Sequence, residues 1–290
     1  MQHRTAILYF AAQPQDTREN ILRVRDAVAE MVGVDLFIAG YRLDKTTDTH
    51  FEGVPFIQMD QQDMVSLNYP AKGYGQKSDQ RQFRLIPGNC DMVPLYFMRH
   101  YPDYDQMIVM EDDVVYSGRY HDLFQAVVAL NGDLLCAHVS DYFKDWTHAS
   151  QFNKGHYGQT EPEKLVFLPF HKISYSLLRA LDHAYLQGLS GHHEMTIPYV
   201  AAQEGMAVVD IGGTGPYVTP EFKNRFYIGR LGPDQMKRGS FRATPAMLRA
   251  GAHADCLYHP VKPWPLWLKS QKKRFLSIVR YYWEKLQLFQ

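Results

Sequence analysis

The chain has only three cysteines, Cys90, Cys136 and Cys256, far apart and without CxxC spacing. So sparse and odd a set argues against a disulfide framework and against a structural zinc site. Net charge is also missing. Lys+Arg and Asp+Glu number 31 each, so no overall basic field marks a nucleic-acid binder. No run approaches the ~20 apolar residues of a membrane span. The first apolar run, residues 6–12, is too short for a span and reads as a strand, not a signal peptide. Low-complexity tracts and internal repeats are absent. What remains is an ordinary globular composition, 46% hydrophobic and 21% charged over 290 residues. That suffices for one large α/β domain, or one domain with appendages. The expected location is cytoplasmic.

The first half alternates strand-like and helix-like segments, the pattern of an α/β layer fold. After the strand at 6–12, Asp16 and Glu19 resemble a capping box. Ile21, Val24, Val28 and Met31 then share one helical face, and Gly33 stands as C-cap. Residues 34–39 form a second strand closed by Gly40, and 54–59 a third. Between Asp60 and Gly88 the pattern dissolves into a polar stretch carrying Lys72, Lys77, Arg81 and Arg84, as a loop over a binding site would. Asp91 is placed to cap a helix running to about Met98. Met107-Ile108-Val109-Met110 is a continuous apolar run of the kind buried in a central sheet. Further on, the pattern gives a helix at 121–130, a strand at 134–139, a long amphipathic helix at 174–187 and a strand at 207–211. A short helix is expected from about Thr196-Ile197-Pro198 to Gly205. Residues 141–163 are aromatic and polar without periodicity.

The run at 107–110 ends in Glu111-Asp112-Asp113. Three carboxylates directly after a buried strand repel one another and cost desolvation unless something positive sits beside them. A divalent cation carrying a diphosphate suits them, because hard ions choose oxygen ligands. In open α/β sheets ligands gather at the carboxyl ends of strands, where this cluster lies. An acidic turn completed by Ser117-Gly118 would use the same residues.

The segment from Asp103 to Phe124, with Glu111-Asp112-Asp113 at its centre, resembles the donor-site strand of GT-A fold glycosyltransferases. Their acidic motif is Asp-x-Asp or a looser variant such as Glu-Asp-Asp. Weaker likeness runs through Pro87–Asp91, Gly191–Glu194 and Tyr258–Lys262, in the same order along the chain. The resemblance implies an α/β, GT-A-type Rossmann-like mixed sheet flanked by helices over residues 1–262. It also implies that Asp113 ligates a divalent cation, Mn²⁺ or Mg²⁺, with Glu111 and Asp112 supporting at the donor. GT-A enzymes commonly add a late ligand, often His, and His259 fits that role, a surface histidine in a turn being the other reading. Pro260 biases His259 toward an extended backbone, and imidazole suits Mn²⁺. Lys262 could reach the donor phosphates as a point charge.

Glu194 stands near a helix N-terminus, where a carboxylate is also an ordinary cap. Its catalytic reading is the general base of an inverting transferase, or an acceptor-orienting group in a retaining one. Among Lys77, Arg81 and Arg84 only Arg84 is taken as a donor contact, a solvated charged loop being the other reading. His192 and His193 do not make a zinc motif with Glu194, since adjacent side chains are expected to point apart. Gly212-Gly213-Thr214-Gly215 lacks the lysine and helix of a phosphate loop and reads as a turn.

From Trp264 to Phe289 six basic residues oppose the single acid Glu284. Interleaved with aromatics, they read as a basic amphipathic C-terminal helix over residues 263–290, lying on an anionic membrane, packed on the domain or making a dimer contact. The expected activity is glycosyl transfer from a nucleotide sugar to a hydroxyl of a surface glycan or glycolipid, of lipopolysaccharide or capsule type. Two rivals stay open. A sugar-phosphate nucleotidyltransferase would need a glycine-rich loop after the first strand, where Ala11-Ala12-Gln13-Pro14 stands. A non-catalytic, membrane-associated glycan-assembly scaffold would bind no nucleotide with metal.

Overall fold

The computed structural model describes residues 3–42, 45–73, 88–158, 160–229, 239–272 and 275–276. The elements follow one another as β1 (Thr5–Phe10), α1 (Arg18–Ala29), β2 (Val34–Tyr41), β3 (His50–Phe51), β4 (Val54–Met59) and α2 (Gln61–Ser66). Then come α3 (Met92–His100), β5 (Gln106–Glu111), β6 (Val115–Tyr116), α4 (Tyr120–Ala129), β7 (Leu134–Asp141) and β8 (Lys164–Ser174). The series ends with α5 (Tyr175–Leu186), α6 (His193–Gln203), β9 (Val208–Asp210) and β10 (Leu257–Tyr258).

Eight strands form one mixed sheet in the order β3-β4-β2-β1-β5-β8-β7-β9. Strands β4, β2, β1 and β5 run parallel, and β8 enters antiparallel to both β5 and β7. Because side chains alternate across a strand, each central strand feeds two cores. Ala6 and Leu8 of β1, with Met107 and Val109 of β5, pack under α3, α5 and α6. Ile7, Tyr9, Ile108 and Met110 pack under α1 and α4. Burial on both faces is why these strands read as unbroken apolar runs. The α/β mixed sheet flanked by helices is the architecture the sequence implies.

Several local expectations are corrected. Asp16 and Glu19 form no capping box: a 3-10 turn at Pro14–Thr17 precedes α1, whose N-cap Thr17 makes no side-chain bond. Gly40 does not close β2, which continues to Tyr41. Its missing Cβ lets β2 lie against β1, since a Cβ there would stand 2.5 Å from the Ala11 carbonyl oxygen. β8 is an eleven-residue strand buried nearly throughout, and no strand is expected there from the sequence. Helix α6 begins at His193, and Pro198 lies inside it instead of at its start. Asp91 makes no capping hydrogen bond to α3, because its carboxylate is used elsewhere.

Candidate active site

The parallel strands deliver their carboxyl ends to one edge, where Phe10 of β1 lies beside Glu111 of β5. Directly beyond them is a cleft of about 380 Å³, lined by Ala11, Gly40, Tyr41, Asp112, Asp113 and Lys262 among others. Its size falls within the range of small-molecule sites, roughly 300–1,000 Å³. Nothing local brings residue 259 to residue 113. The chain does it with a small second sheet: β10 pairs antiparallel with β6, matching Tyr258 to Val115. The Val261 N–H then donates to the Asp113 carbonyl at 2.8 Å, which sets Lys262 against the acidic cluster.

Three ligand-type atoms of Glu111, Asp113 and His259 lie within 4.8 Å of one another. His259 Nε2 stands 3.1 Å from Asp113 Oδ1 and 3.7 Å from Glu111 Oε2. In an octahedral ion with bonds near 2.1 Å, neighbouring ligands lie about 3 Å apart, close to the His259–Asp113 separation, so these three residues could hold one after a small closure. The other ring nitrogen, Nδ1, donates to the Arg242 carbonyl at 2.7 Å. A carbonyl only accepts, so Nδ1 carries the hydrogen and a neutral ring would aim a lone pair at the carboxylates. With the ring neutral, Asp113 Oδ1 is buried with no hydrogen-bond donor. Either a second proton on the ring or a cation must lie between them. An imidazole fixed through its far N–H by a backbone carbonyl is the usual orientation of a metal-binding histidine.

The electrostatics agree. Burial alone would raise Asp113, yet the hydrogen bond and charge of His259, with Lys262, bring it down to about 2. Burial alone would lower His259, but Asp113 and then Glu111 push it up to about 9. Asp112 is lifted to about 7, first by burial and then by Asp113 and Glu111. A carboxyl raised by folding takes stability away as pH climbs from its ordinary range through that value. Metal-free Asp112→Asn is therefore expected to melt about 2–4 °C higher than the parent at about pH 8. The gap should close as pH falls toward about 4, which thermal melts across pH would check.

Glu194 sits in the first turn of α6, capped by His192, whose Nδ1 accepts from the Glu194 N–H at 3.3 Å. Its carboxyl is raised to about 8, first by burial and next by the charge of Glu111, with His259 acting the other way. Glu194 thus belongs to the electrostatic neighbourhood of the trio. Gly88 fixes this turn. Its φ of +100° and the His192 ring, 2.4 Å from where a Cβ would be, admit no side chain. Its carbonyl accepts from the His193 N–H at 2.9 Å and from Lys72 Nζ at 3.0 Å.

Lys72, in the stretch expected as a loop over a binding site, is turned inward. Its side chain is wholly buried and pairs with Asp91 Oδ2 at 3.0 Å, which also accepts from the Tyr185 hydroxyl. This pair supports the floor under α6, and nothing in the sequence around Tyr69-Pro70-Ala71-Lys72-Gly73 signals it. Arg84 lies outside the described residues, as do Lys77 and Arg81.

The imidazoles of His192 and His193 stack at 4.8 Å, against the expectation that they point apart, because His192 is extended and His193 is helical. His148 stacks on His192 at 4.5 Å, and Trp146 stands edge-on to both. The segment carrying them is pinned to α6 and its approach. Asn153 and Ser190 exchange backbone bonds of 2.9 and 2.8 Å, and the Tyr157 hydroxyl donates to Glu204 at 2.7 Å. Residues 142–158 therefore pack against α6 and the turn before it, with Trp146 and His148 on the His192 ring that caps the helix.

No family model matches the chain, and no curated protein does. Many chains of solved structures are similar to it, two glycosyltransferase-related ones among them. One is a glycosyltransferase involved in the glycosylation of the major capsid of PBCV-1, with a TM-score of 0.30 at 7% identity over 61% of this chain. This chain spans 62% of that protein's length. The other is an active-site mutant of LgtC, with a TM-score of 0.45 at 11% identity, covering 83% of this chain and 88% of that one. What this chain does must be read from its own residues.

Beyond β10 a helix covers residues 264–272. Its Trp264, Leu266 and Leu268 are exposed, as are Phe275 and Leu276 after it. Among the described residues no helix is long and apolar enough to cross a membrane.

Proposed function

We propose that this chain is a metal-assisted glycosyltransferase that moves a sugar from a nucleotide-sugar donor to a hydroxyl of a glycan or glycolipid acceptor, of lipopolysaccharide or capsule type. The observation that carries this is the Glu111–Asp113–His259 trio, close enough together to share a cation at a cleft of small-molecule size. Glu111, Asp113 and His259 would hold Mn²⁺ or Mg²⁺, which when bound neutralises a diphosphate and stabilises its departure.

The remaining roles fall to this chain's own groups. Tyr41, Ala11 and Gly40 form the wall for the nucleoside, and Asp112 faces the same cleft for the ribose. Lys262 offers a mobile ammonium to the phosphates. Glu194, near the trio but on the α6 side, takes the proton of the acceptor hydroxyl, with inversion of the sugar. Its raised pKa suits a base working near neutrality. With Glu111 neutralised by a bound cation, its contribution to that shift would be offset and Glu194 would ionise at a lower pH. Arg84 is kept as a donor contact. The exposed apolar side chains of residues 264–276, beside Lys269, Lys272 and the basic residues that follow, support docking on an anionic membrane at the cytoplasmic face.

Trp146, edge-on to His192, which caps the helix carrying Glu194, is assigned to the acceptor. Trp146→Ala is expected to raise the acceptor KM about 10-fold, the worth of one good aromatic contact, while leaving nucleotide affinity unchanged. Steady-state kinetics with each substrate varied would show it.

The reading as a whole is tested by thermal shift with UDP, GDP, CMP and TDP, with and without Mn²⁺. Stabilisation by one nucleotide that needs Mn²⁺ and is lost in Asp113→Asn supports it. A folded protein that responds to none of them contradicts it.

A further inference from the structure

Asp113 is shared between two cationic side chains. His259 faces Oδ1, and Lys262 Nζ donates to Oδ2 at 2.7 Å. The Lys262 side chain is 34% exposed and lines the cleft beside Asp112 and Asp113. Its backbone is held on both sides: Val261 N–H donates to Asp113, and Lys262 N–H to the Met247 carbonyl at 2.9 Å. A fixed backbone with a flexible four-carbon stem lets the ammonium swing while the loop stays in place.

We infer that Lys262 is a tethered counter-cation that weakens metal binding until a diphosphate enters the cleft. The inference rests on the metal reading proposed above. Without a diphosphate the ammonium neutralises part of the acidic cluster, and a cation arriving on the other oxygen of Asp113 meets a like charge. A diphosphate in the cleft offers the ammonium richer oxygen partners. Lys262 then leaves Asp113 Oδ2, and the carboxylate turns wholly toward the metal. Metal and diphosphate thus bind as a linked pair, each raising the other's affinity by the same factor. Without donor, the site holds its cation weakly.

The test measures Mn²⁺ binding directly, by electron paramagnetic resonance of free Mn²⁺, with no turnover involved. Parent, Lys262→Met, Lys262→Arg and Asp113→Asn proteins are titrated without nucleotide, and then with UDP, GDP or CMP. Lys262→Met is expected to bind Mn²⁺ about tenfold more tightly than the parent without nucleotide, a mid-range linkage effect. Lys262→Arg, which keeps the charge, should stay near the parent. With Mn²⁺ present, Lys262→Met should bind the nucleotide more weakly than the parent. Equal or weaker Mn²⁺ binding by Lys262→Met overturns the inference, as does Lys262→Arg behaving like Lys262→Met. If neither parent nor Lys262→Met binds Mn²⁺ better than Asp113→Asn, the metal reading itself falls.

Discussion

Asp113→Asn is expected to lower turnover by about 10³-fold or more while the protein stays folded. A bound cation supplies several kcal/mol of charge stabilisation to a departing phosphate, and each 1.36 kcal/mol is a factor of ten in rate. Asp113 is central to the trio because it meets both His259 and Lys262. The fold should tolerate the change for a specific reason. His259 holds its extra proton chiefly because of Asp113, so without that charge the ring is free to become neutral. Lys262 keeps access to solvent and to Asp112. No charge is left buried and unpaired, the outcome that makes most broken buried pairs so costly. Transfer assays on the variant, with a thermal melt as control for folding, decide the matter. Turnover within tenfold of the parent in a folded sample would remove Asp113 from the centre of the reaction.

The acidic cluster was legible because two local signals meet at one point. An apolar run without alternation marks β5 as buried on both faces, and three carboxylates immediately after it need an explanation. His259 and Lys262 were legible only through the resemblance. Their meeting with Asp113 depends on β6 and β10, two-residue strands too short to leave a periodic trace. β8 escaped for another reason. It carries Pro169, His171 and Lys172, residues that read as breakers or surface in isolation, yet all are tolerated by the surroundings. His171 Nδ1 is satisfied by the Leu168 carbonyl at 2.6 Å, and Lys172 Nζ by that of Leu130. Pro169 lies where the ladder to β7 shifts register. Asp91 shows the opposite failure. Its position before a helix suggested a cap, but a buried lysine 19 positions earlier in the sequence, Lys72, claims the carboxylate. Tertiary pairing overrode a local rule, and no local pattern records such a pairing.

Glu194→Gln is expected to reduce kcat by about 10²–10⁴-fold, the range for a positioned general base, with little effect on metal-dependent nucleotide binding. The amide keeps the size of the side chain and can still accept from the backbone of Leu168, so the α6 turn should hold. The pH dependence separates this role from a structural one. A base must be ionised, so the parent's rate should climb with pH and level off above the pKa of Glu194. In the metal-free protein that value is raised to about 8 by burial and by Glu111, and a cation at the trio should bring the midpoint below it. The residual rate of Glu194→Gln should lack this rising limb. A variant that keeps the limb assigns it to another group, and one that retains more than a tenth of kcat is not missing its base. A third result would change the stereochemical assignment. If the loss fell on the acceptor KM with kcat preserved, Glu194 would orient the acceptor, and its proton would leave by another route, as in transfer with retention.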